Sequence, residues 1–216
     1  EYGGQGFGYV ELGIVLEEMG RSLLCAPFFS TVVLAGNAII HSGNENAKTA
    51  LLPGIASGET IATLALAEAS GRWDADGITV QASGLAEGAT ISGEKMFVTD
   101  GGTANLFVVA ARAESGIHLF TVDGEAAGLS RENLSTMDQT RKQARITFEN
   151  TPATHLCDTN NFEYVSQILD LAAVALANEQ VGGAQFAMEM AVQYAKDRVQ
   201  FGRPIGSFQA IKHKCA

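Results

Sequence analysis

The sequence predicts an α+β fold: helices, a central antiparallel β-domain, then helices again. Three observations predict it. Up to Gly58 the apolar residues recur at helical spacing, and from there to His155 they fall into short β-branched runs broken by Gly, Asp and Asn. From Glu163 the chain returns to helix, in an alanine-rich apolar segment too long for a strand. The division expected is 1–58 all-helical, 59–155 β-domain and 156–216 the start of a helical bundle.

In order, Tyr2-Gly-Gly-Gln-Gly-Phe-Gly8 carries too many glycines for regular structure and reads as a loop. Val10 to Met19 places Val10, Leu12, Ile14, Val15 and Met19 against Glu11, Glu17 and Glu18, an amphipathic helix that Gly20 would end. Phe28–His41 and Asn44–Ile55 are two further helices, the second interrupted by Pro53. Seven runs then read as strands: 60–67, 78–82, 89–92, 95–98, 106–111, 117–122 and 144–148. No Gly-x-Gly-x-x-Gly stands between a strand and a helix, so a dinucleotide-binding α/β unit is not predicted.

The long helix, about Phe162 to Phe201, organises the rest. Leu169, Leu176, Gly183, Phe186, Met190 and Tyr194 lie along one stripe of it, while Gln193, Lys196 and Asp197 mark a wetter side. Each glycine inside a helix costs about 1 kcal/mol relative to alanine, so Gly182-Gly183 implies that another backbone or a ligand comes close. Glu179 is an acid in an otherwise apolar run. It reads as a structural group hydrogen-bonded within the bundle, and otherwise as the chain's candidate general base. The helix is expected to end on Gly202, with Ser207 capping a new helix from Phe208. That turn gathers Arg198, Gln200, Phe201, Arg203 and Gln209. Two guanidiniums suit a diphosphate, and a ring suits a planar group. A helix-helix corner with polar caps and a packing phenylalanine has the same composition.

Composition narrows the function classes. Of 216 residues, 46% are hydrophobic and 18% charged, as in a soluble globular chain. With 14 Lys+Arg against 24 Asp+Glu the net charge is -10, which argues against nucleic acid or an anionic membrane as main partner. No apolar run has membrane-spanning length and no signal peptide opens the chain, so a cytoplasmic location is expected. Cys25, Cys157 and Cys215 suggest neither a disulfide framework nor a zinc site. His41, His118, His155 and His213 form no ligand pattern and are read as surface or cap residues; no metal is expected.

Arg198-Val-Gln-Phe-Gly-Arg-Pro-Ile-Gly-Ser-Phe-Gln-Ala-Ile-Lys-His213 resembles the helix-turn-helix signature of acyl-CoA dehydrogenases. Glu1-Tyr-Gly-Gly-Gln-Gly-Phe with Glu17-Glu-Met-Gly-Arg, and Gly93-Glu-Lys-Met-Phe-Val-Thr-Asp-Gly, match the same family in the same order. The resemblance covers essentially the whole chain. It implies a C-terminal four-helix bundle, incomplete here, in a chain truncated at both ends.

The resemblance also implies FAD. In the family, arginine, phenylalanine and glutamine at the positions of Arg198, Phe201, Gln200 and Gln209 reach the diphosphate and adenosine of a neighbouring subunit's FAD. Leu64-Ala-Leu-Ala-Glu-Ala-Ser-Gly-Arg-Trp-Asp74 aligns with the flavin and substrate loop, of which Glu68 and Asp74 keep the usual residue. Ala67 stands where a threonine hydroxyl meets the flavin, and Trp73 where a serine meets the acyl-CoA. The main-chain N–H groups of Leu66 and Ala67 remain available to the ring. Phe97 replaces a tryptophan that stacks beside the isoalloxazine, and Thr99 keeps the hydroxyl near the nitrogen that accepts hydride. Read without the resemblance, the first segment is an ordinary turn after an edge strand and the second a common strand triplet.

The activity implied is FAD-dependent α,β-desaturation of an acyl-CoA thioester in lipid metabolism. Its electron acceptor would be an electron-transfer flavoprotein-like protein, and it would work as a homo- or hetero-oligomer, dimer or tetramer. The usual catalytic glutamate falls after Ala216, and the alternative position aligns with Ala172. The competing reading is a partner subunit that lends Arg198, Gln200 and Phe201 to another chain's FAD while its own pocket is empty. This chain by itself is not expected to turn over acyl-CoA, because the stripe of Leu176, Phe186 and Met190 needs partner helices to cover it.

Overall fold

The computed structural model describes residues 2–157 and 162–216; Glu1, which opens the N-terminal glycine-rich motif, lies outside the described residues. The chain forms two compact units. The first comprises the N-terminal residues to Gly6 with Cys25–Ala173, and the second Phe7–Leu24 with Val174–Ala216.

The first unit is built on an eight-stranded sheet. Its strands are β1 (Ala62–Ala65), β2 (Gln81–Ala82), β3 (Thr90–Thr99), β4 (Leu106–Ala113), β5 (Gly116–Asp123), β6 (Leu129–Asn133), β7 (Gln143–Pro152) and β8 (Thr154–His155). They run in the order β6-β7-β3-β2-β4-β5-β8, with β1 on β4. Most pairings are antiparallel, as the turn-rich spacing predicts, but β1 and β2 both run parallel to β4. Alternate residues of β4 enter two cores, which makes it a near-continuous apolar run. Leu106, Val108 and Ala110 face one core with Ile39, Leu64, Tyr164 and Ile168. Phe107, Val109 and Ala111 face the other with Ile91, Phe120, Ile146 and Phe148.

Helices cover the first of these cores. A π-helical segment, Phe29–Gly36, runs on into α2 (Asn37–Ile40), and α3 spans Glu45–Ser57. Pro53 does not interrupt α3, which continues to a left-handed Gly58 at φ 80°. Thr31 Oγ1 donates to the Ala62 carbonyl at 3.0 Å and accepts from the Ala62 amide at 3.1 Å, tying the π-helical segment to the start of β1.

The expected runs 89–92 and 95–98 are one strand, β3, whose pairing with β7 shifts between Ile91 and Gly93 and again between Lys95 and Val98. Strands β6 and β8 are additional to those expected. His118 is buried, not on the surface: its Nδ1 lies 3.1 Å from His155 Nε2, and its Nε2 lies 2.9 Å from Ser115 Oγ.

The second unit holds α1 (Tyr9–Ser22), the larger part of α4 (Phe162–Asp197), strands β9 (Val199–Gln200) and β10 (Arg203–Pro204), and α5 (Gln209–Cys215). Gly20 does not end α1. The helix runs two residues further, to Ser22, and closes on Leu23 in the left-handed region, because Gly20 is a contact point. A Cβ there would overlap the Glu179 carbonyl oxygen, and a Cβ on Gly182 would overlap that of Glu17. The glycine pair of α4 therefore admits another backbone. Arg21 adds a two-pronged hydrogen bond to Glu189 and lies over the Phe186 ring at 5.5 Å.

Gly202 likewise ends no helix, since α4 stops at Asp197. Phe201 and Gly202, at φ 56° and 78°, form a two-residue turn between β9 and β10, the geometry that hairpins favour. Ser207 lies in the 3-10 turn Ile205–Ser207 and donates to the Pro204 carbonyl; α5 starts after Phe208 with no side-chain cap.

Candidate functional site

In the first unit, the end of β1 and the middle of β3 lie side by side without a strand ladder between them. Three hydrogen bonds span the gap: Thr63 Oγ1 to the Thr99 carbonyl at 2.6 Å, the Met96 amide to the Ala67 carbonyl at 2.8 Å, and Lys95 Nζ to the Leu66 carbonyl at 3.0 Å. This brings Leu66 and Ala67 next to Phe97 and Thr99, four residues that the sequence singles out separately. Neither the Leu66 nor the Ala67 amide donates to another atom among the described residues. Buried or half-buried backbone donors without an acceptor are uncommon in folded proteins, and a pair of them is where a ligand's acceptors fit.

Phe97 is presented by backbone geometry. The pairing shift inserts one extra residue between Lys95 and Val98, and Phe97 takes it up at φ 57°, in the left-handed region. Its ring is consequently 47% exposed, while Lys95 and Val98 on either side point inward. An open aromatic face beside two free amides is a suitable seat for a planar heteroaromatic ring, so the residues present fit a flavin. The adjoining turn is held by Ser30, whose hydroxyl donates to Asp100 Oδ2 at 2.6 Å.

Beneath this face lies an ion pair that sequence reasoning missed. Lys95 is 0% exposed, and its Nζ lies 2.8 Å from Glu68 Oε1. Glu68 also accepts from the amides of Thr79, at 2.9 Å, and Val80, at 3.1 Å, and from the Thr79 hydroxyl. Burial pulls the Lys95 ammonium down to about 8, against the opposing effect of the hydrogen bond that it donates to Glu68. Burial opposes ionisation of Glu68 too, but the hydrogen bonds from Lys95 and Thr79 outweigh it and hold the carboxyl below its ordinary range. The available signal was Lys95 inside the quoted Gly93–Gly101 motif, together with Glu68 in the aligned loop.

Trp73 is 65% exposed on the loop that follows. Asp74 accepts from the Gly77 amide at 3.0 Å and pairs with Arg72 at 2.9 Å, so it starts the turn Ala75–Gly77. An open groove of about 430 Å³ is lined by Gly102, Gly124, Arg131 and Asn133 among others, and none of the expected site residues lines it.

In the second unit, Arg198, Gln200 and Phe201 sit on the β9–β10 hairpin, and Gln209 opens α5. All four are exposed, Phe201 at 91%. Arg203 is otherwise engaged: its guanidinium lies 4.1 Å from the centre of the Phe208 ring, which also meets Phe201 edge-on at 6.1 Å. Arg198 is thus the hairpin guanidinium that stacks on no ring among the described residues. Glu179 is half-buried on α4 at the Gly20 crossing, and Ala172 is buried. The described residues hold no cluster of three or more His, Cys, Asp or Glu able to bind a metal, and no helix long and apolar enough to cross a membrane.

Comparison with known proteins follows the same outline. Models of the acyl-CoA dehydrogenase N-terminal, middle and C-terminal domains match residues 1–59, 63–151 and 162–216. The acyl-CoA dehydrogenase IpdE2 of Mycobacterium tuberculosis is 34% identical over 216 residues, 100% of this chain and 54% of that protein. Among solved structures, the Tcur3481-Tcur3483 steroid ACAD is 33% identical with a TM-score of 0.85, covering 99% of this chain and 57% of that one. The ChsE4-ChsE5 complex of Mycobacterium tuberculosis is 28% identical with a TM-score of 0.87, again over 99% and 57%. The chain spans little more than half the length of these relatives. Matched in family order by three domain models, and sharing their fold, it belongs to the acyl-CoA dehydrogenase family.

Proposed function

We propose that this chain is the FAD-binding part of an enzyme that desaturates an acyl-CoA thioester between its α and β carbons. The observation that carries the reading is the pair of free amides at Leu66 and Ala67 beside the exposed Phe97 ring. FAD, when bound, accepts the β-hydride. The chain's own residues bind and orient: Leu66 and Ala67 donate to the ring, Phe97 covers one edge of it, and Thr99 supplies a hydroxyl next to it. Such donors, fixed before the reaction, favour the negative charge that builds up on reduction. Arg198, Gln200, Phe201 and Gln209 hold the diphosphate and adenosine of a facing subunit's FAD, so the active form is an oligomer. Trp73 borders the acyl-CoA. The α-proton goes to a carboxylate, and the position of Glu179 at a backbone crossing supports its structural reading over that of base. We take 1–58, 59–155 and 156–216 as the domain division, the electron acceptor to be electron-transfer flavoprotein-like, and the location to be cytoplasmic.

A second reading has its own support. Ala67 lacks the hydroxyl and Trp73 the serine of an ordinary pocket, and two similar structures are named as pairs of different chains. In that reading this chain is a non-catalytic subunit of a hetero-oligomer and lends its hairpin to a neighbour. Flavin stoichiometry separates the two: one FAD per copy of this chain supports the first, and one FAD per pair of unlike chains supports the second. Absence of flavin binding in any assembly refutes both.

A further inference from the structure

The Lys95–Glu68 pair has no part in the chemistry proposed above, yet both side chains are buried beneath the site. Two charges taken out of water recover little net stability, and well-packed apolar residues of equal volume often do as well or better. Stability alone therefore gives no strong reason for a lysine at 0% exposure inside a sheet domain. Its bonds supply another. Lys95 is carried on β3, two residues before Phe97 and four before Thr99, and its Nζ reaches the Leu66 carbonyl at 3.0 Å and Glu68 at 2.8 Å, both just past β1. Glu68 is in turn fixed by the Thr79 and Val80 amides. Where β1 and β3 have no ladder, this cation, beside the Met96 amide bonded to the Ala67 carbonyl, ties the strand that presents the aromatic ring to the segment that presents the two free amides.

We infer that Lys95, braced by Glu68, is a positioning residue that sets the Leu66 and Ala67 amides in register with Phe97 for contact with the flavin ring. The inference rests on the FAD reading above. A carbonyl held from beneath fixes the peptide plane between Leu66 and Ala67, and with it the direction of the Ala67 N–H, because that plane is rigid. Donor direction matters, since hydrogen bonds weaken steeply once bent.

The test replaces the pair without unbalancing charge. Lys95→Met with Glu68→Gln preserves volume and leaves an acceptor for the Thr79 and Val80 amides, but removes the donor to the Leu66 carbonyl. FAD affinity, bound-flavin midpoint potential and melting temperature are measured in the FAD-loaded protein. The double variant is expected to melt close to the unsubstituted protein while its FAD affinity falls about 10-fold, the worth of one well-aligned hydrogen bond. Its flavin potential should move to a more negative value, as the donors that favour reduced flavin loosen. If the double variant does not fold, Lys95→Gln in place of Lys95→Met provides the comparison, with affinity retained because a donor remains. Unchanged affinity and potential in a folded Lys95→Met/Glu68→Gln protein overturn this inference alone. An unsubstituted protein that binds no FAD overturns it together with the proposed function.

Discussion

At the scale of single residues, Arg198 and Thr99 separate affinity from chemistry. Arg198 is exposed on a hairpin whose other arginine is stacked on Phe208, in a protein of net charge -10 that otherwise repels a diphosphate. A hydrogen bond to a charged group contributes about 1.5–3 kcal/mol, so Arg198→Ala is expected to weaken FAD binding about 10- to 150-fold. Arg198→Lys restores part of it, since lysine keeps the charge and loses the two-pronged fork. Thr99→Ala should leave most of the affinity and slow flavin reduction. Titration with FAD and stopped-flow reduction of the three variants check this. An Arg198→Ala protein with full affinity, or a lower melting point that is the same with and without FAD, marks the arginine as a corner cap only.

Lys95 adds a dependence on pH. Its folded value of about 8 lies below that of a free lysine, so above pH 8 the folded protein holds fewer protons than the unfolded chain. Stability linked to this group therefore rises as pH climbs from about 8 to roughly 10.4, and is level below that window. The unfolding free energy of the unsubstituted protein minus that of Lys95→Met/Glu68→Gln, measured across the window, is expected to increase. A flat difference would show that Lys95 does not titrate there.

At the scale of elements, the α1–α4 crossing and the β3 bulge decide what is presented. Gly182 and Gly183 are adjacent in sequence and opposite in consequence. A Cβ on Gly182 overlaps the Glu17 carbonyl, whereas one on Gly183 stays at 3.5 Å from its nearest neighbour, an ordinary contact. Gly182→Ala is expected to lower stability by about 1–3 kcal/mol through overpacking, and Gly183→Ala to raise it by up to about 1 kcal/mol through helix propensity. Denaturant midpoints of the two variants decide it, and equal effects would mean that the helices do not cross at Gly182. The helix at Val10 was legible because its periodicity is local, but its end was not. A glycine signals a stop or a contact with the same letter, and only the facing helix distinguishes them. The bulge was equally hidden. In an unbroken strand Lys95 and Phe97 would share a face, and the extra residue against β7 sends them to opposite ones.

At the scale of the whole molecule, the second unit leaves Phe186, Met190 and Tyr194 of α4 exposed together with Val10 and Ile14 of α1. Apolar residues this dense on a helix pair mark an interface. Sedimentation of the purified 216-residue chain is expected to show self-association, and Met190→Lys to shift it towards monomer. A monomer at all concentrations would count against the oligomer that the proposed shared FAD site requires.

The sequence by itself determined the helix–sheet–helix order and the family, and it singled out the candidate residues, because periodicity, turn chemistry and motif wording are properties of neighbours along the chain. It also pointed to a close approach at the Gly182-Gly183 pair, without distinguishing one glycine from the other. Only the tertiary structure decided that Leu66 and Ala67 lie beside Phe97, that β1 and β2 run parallel to β4, that His118 is buried against His155, and that Lys95 is an enclosed cation. Each of these depends on which strand comes to lie next to which, a choice made by burial of two apolar faces over long sequence separations. A lysine in a strand reads as a solvated edge until the carboxylate that compensates it, twenty-seven residues earlier in the chain, is brought within 2.8 Å.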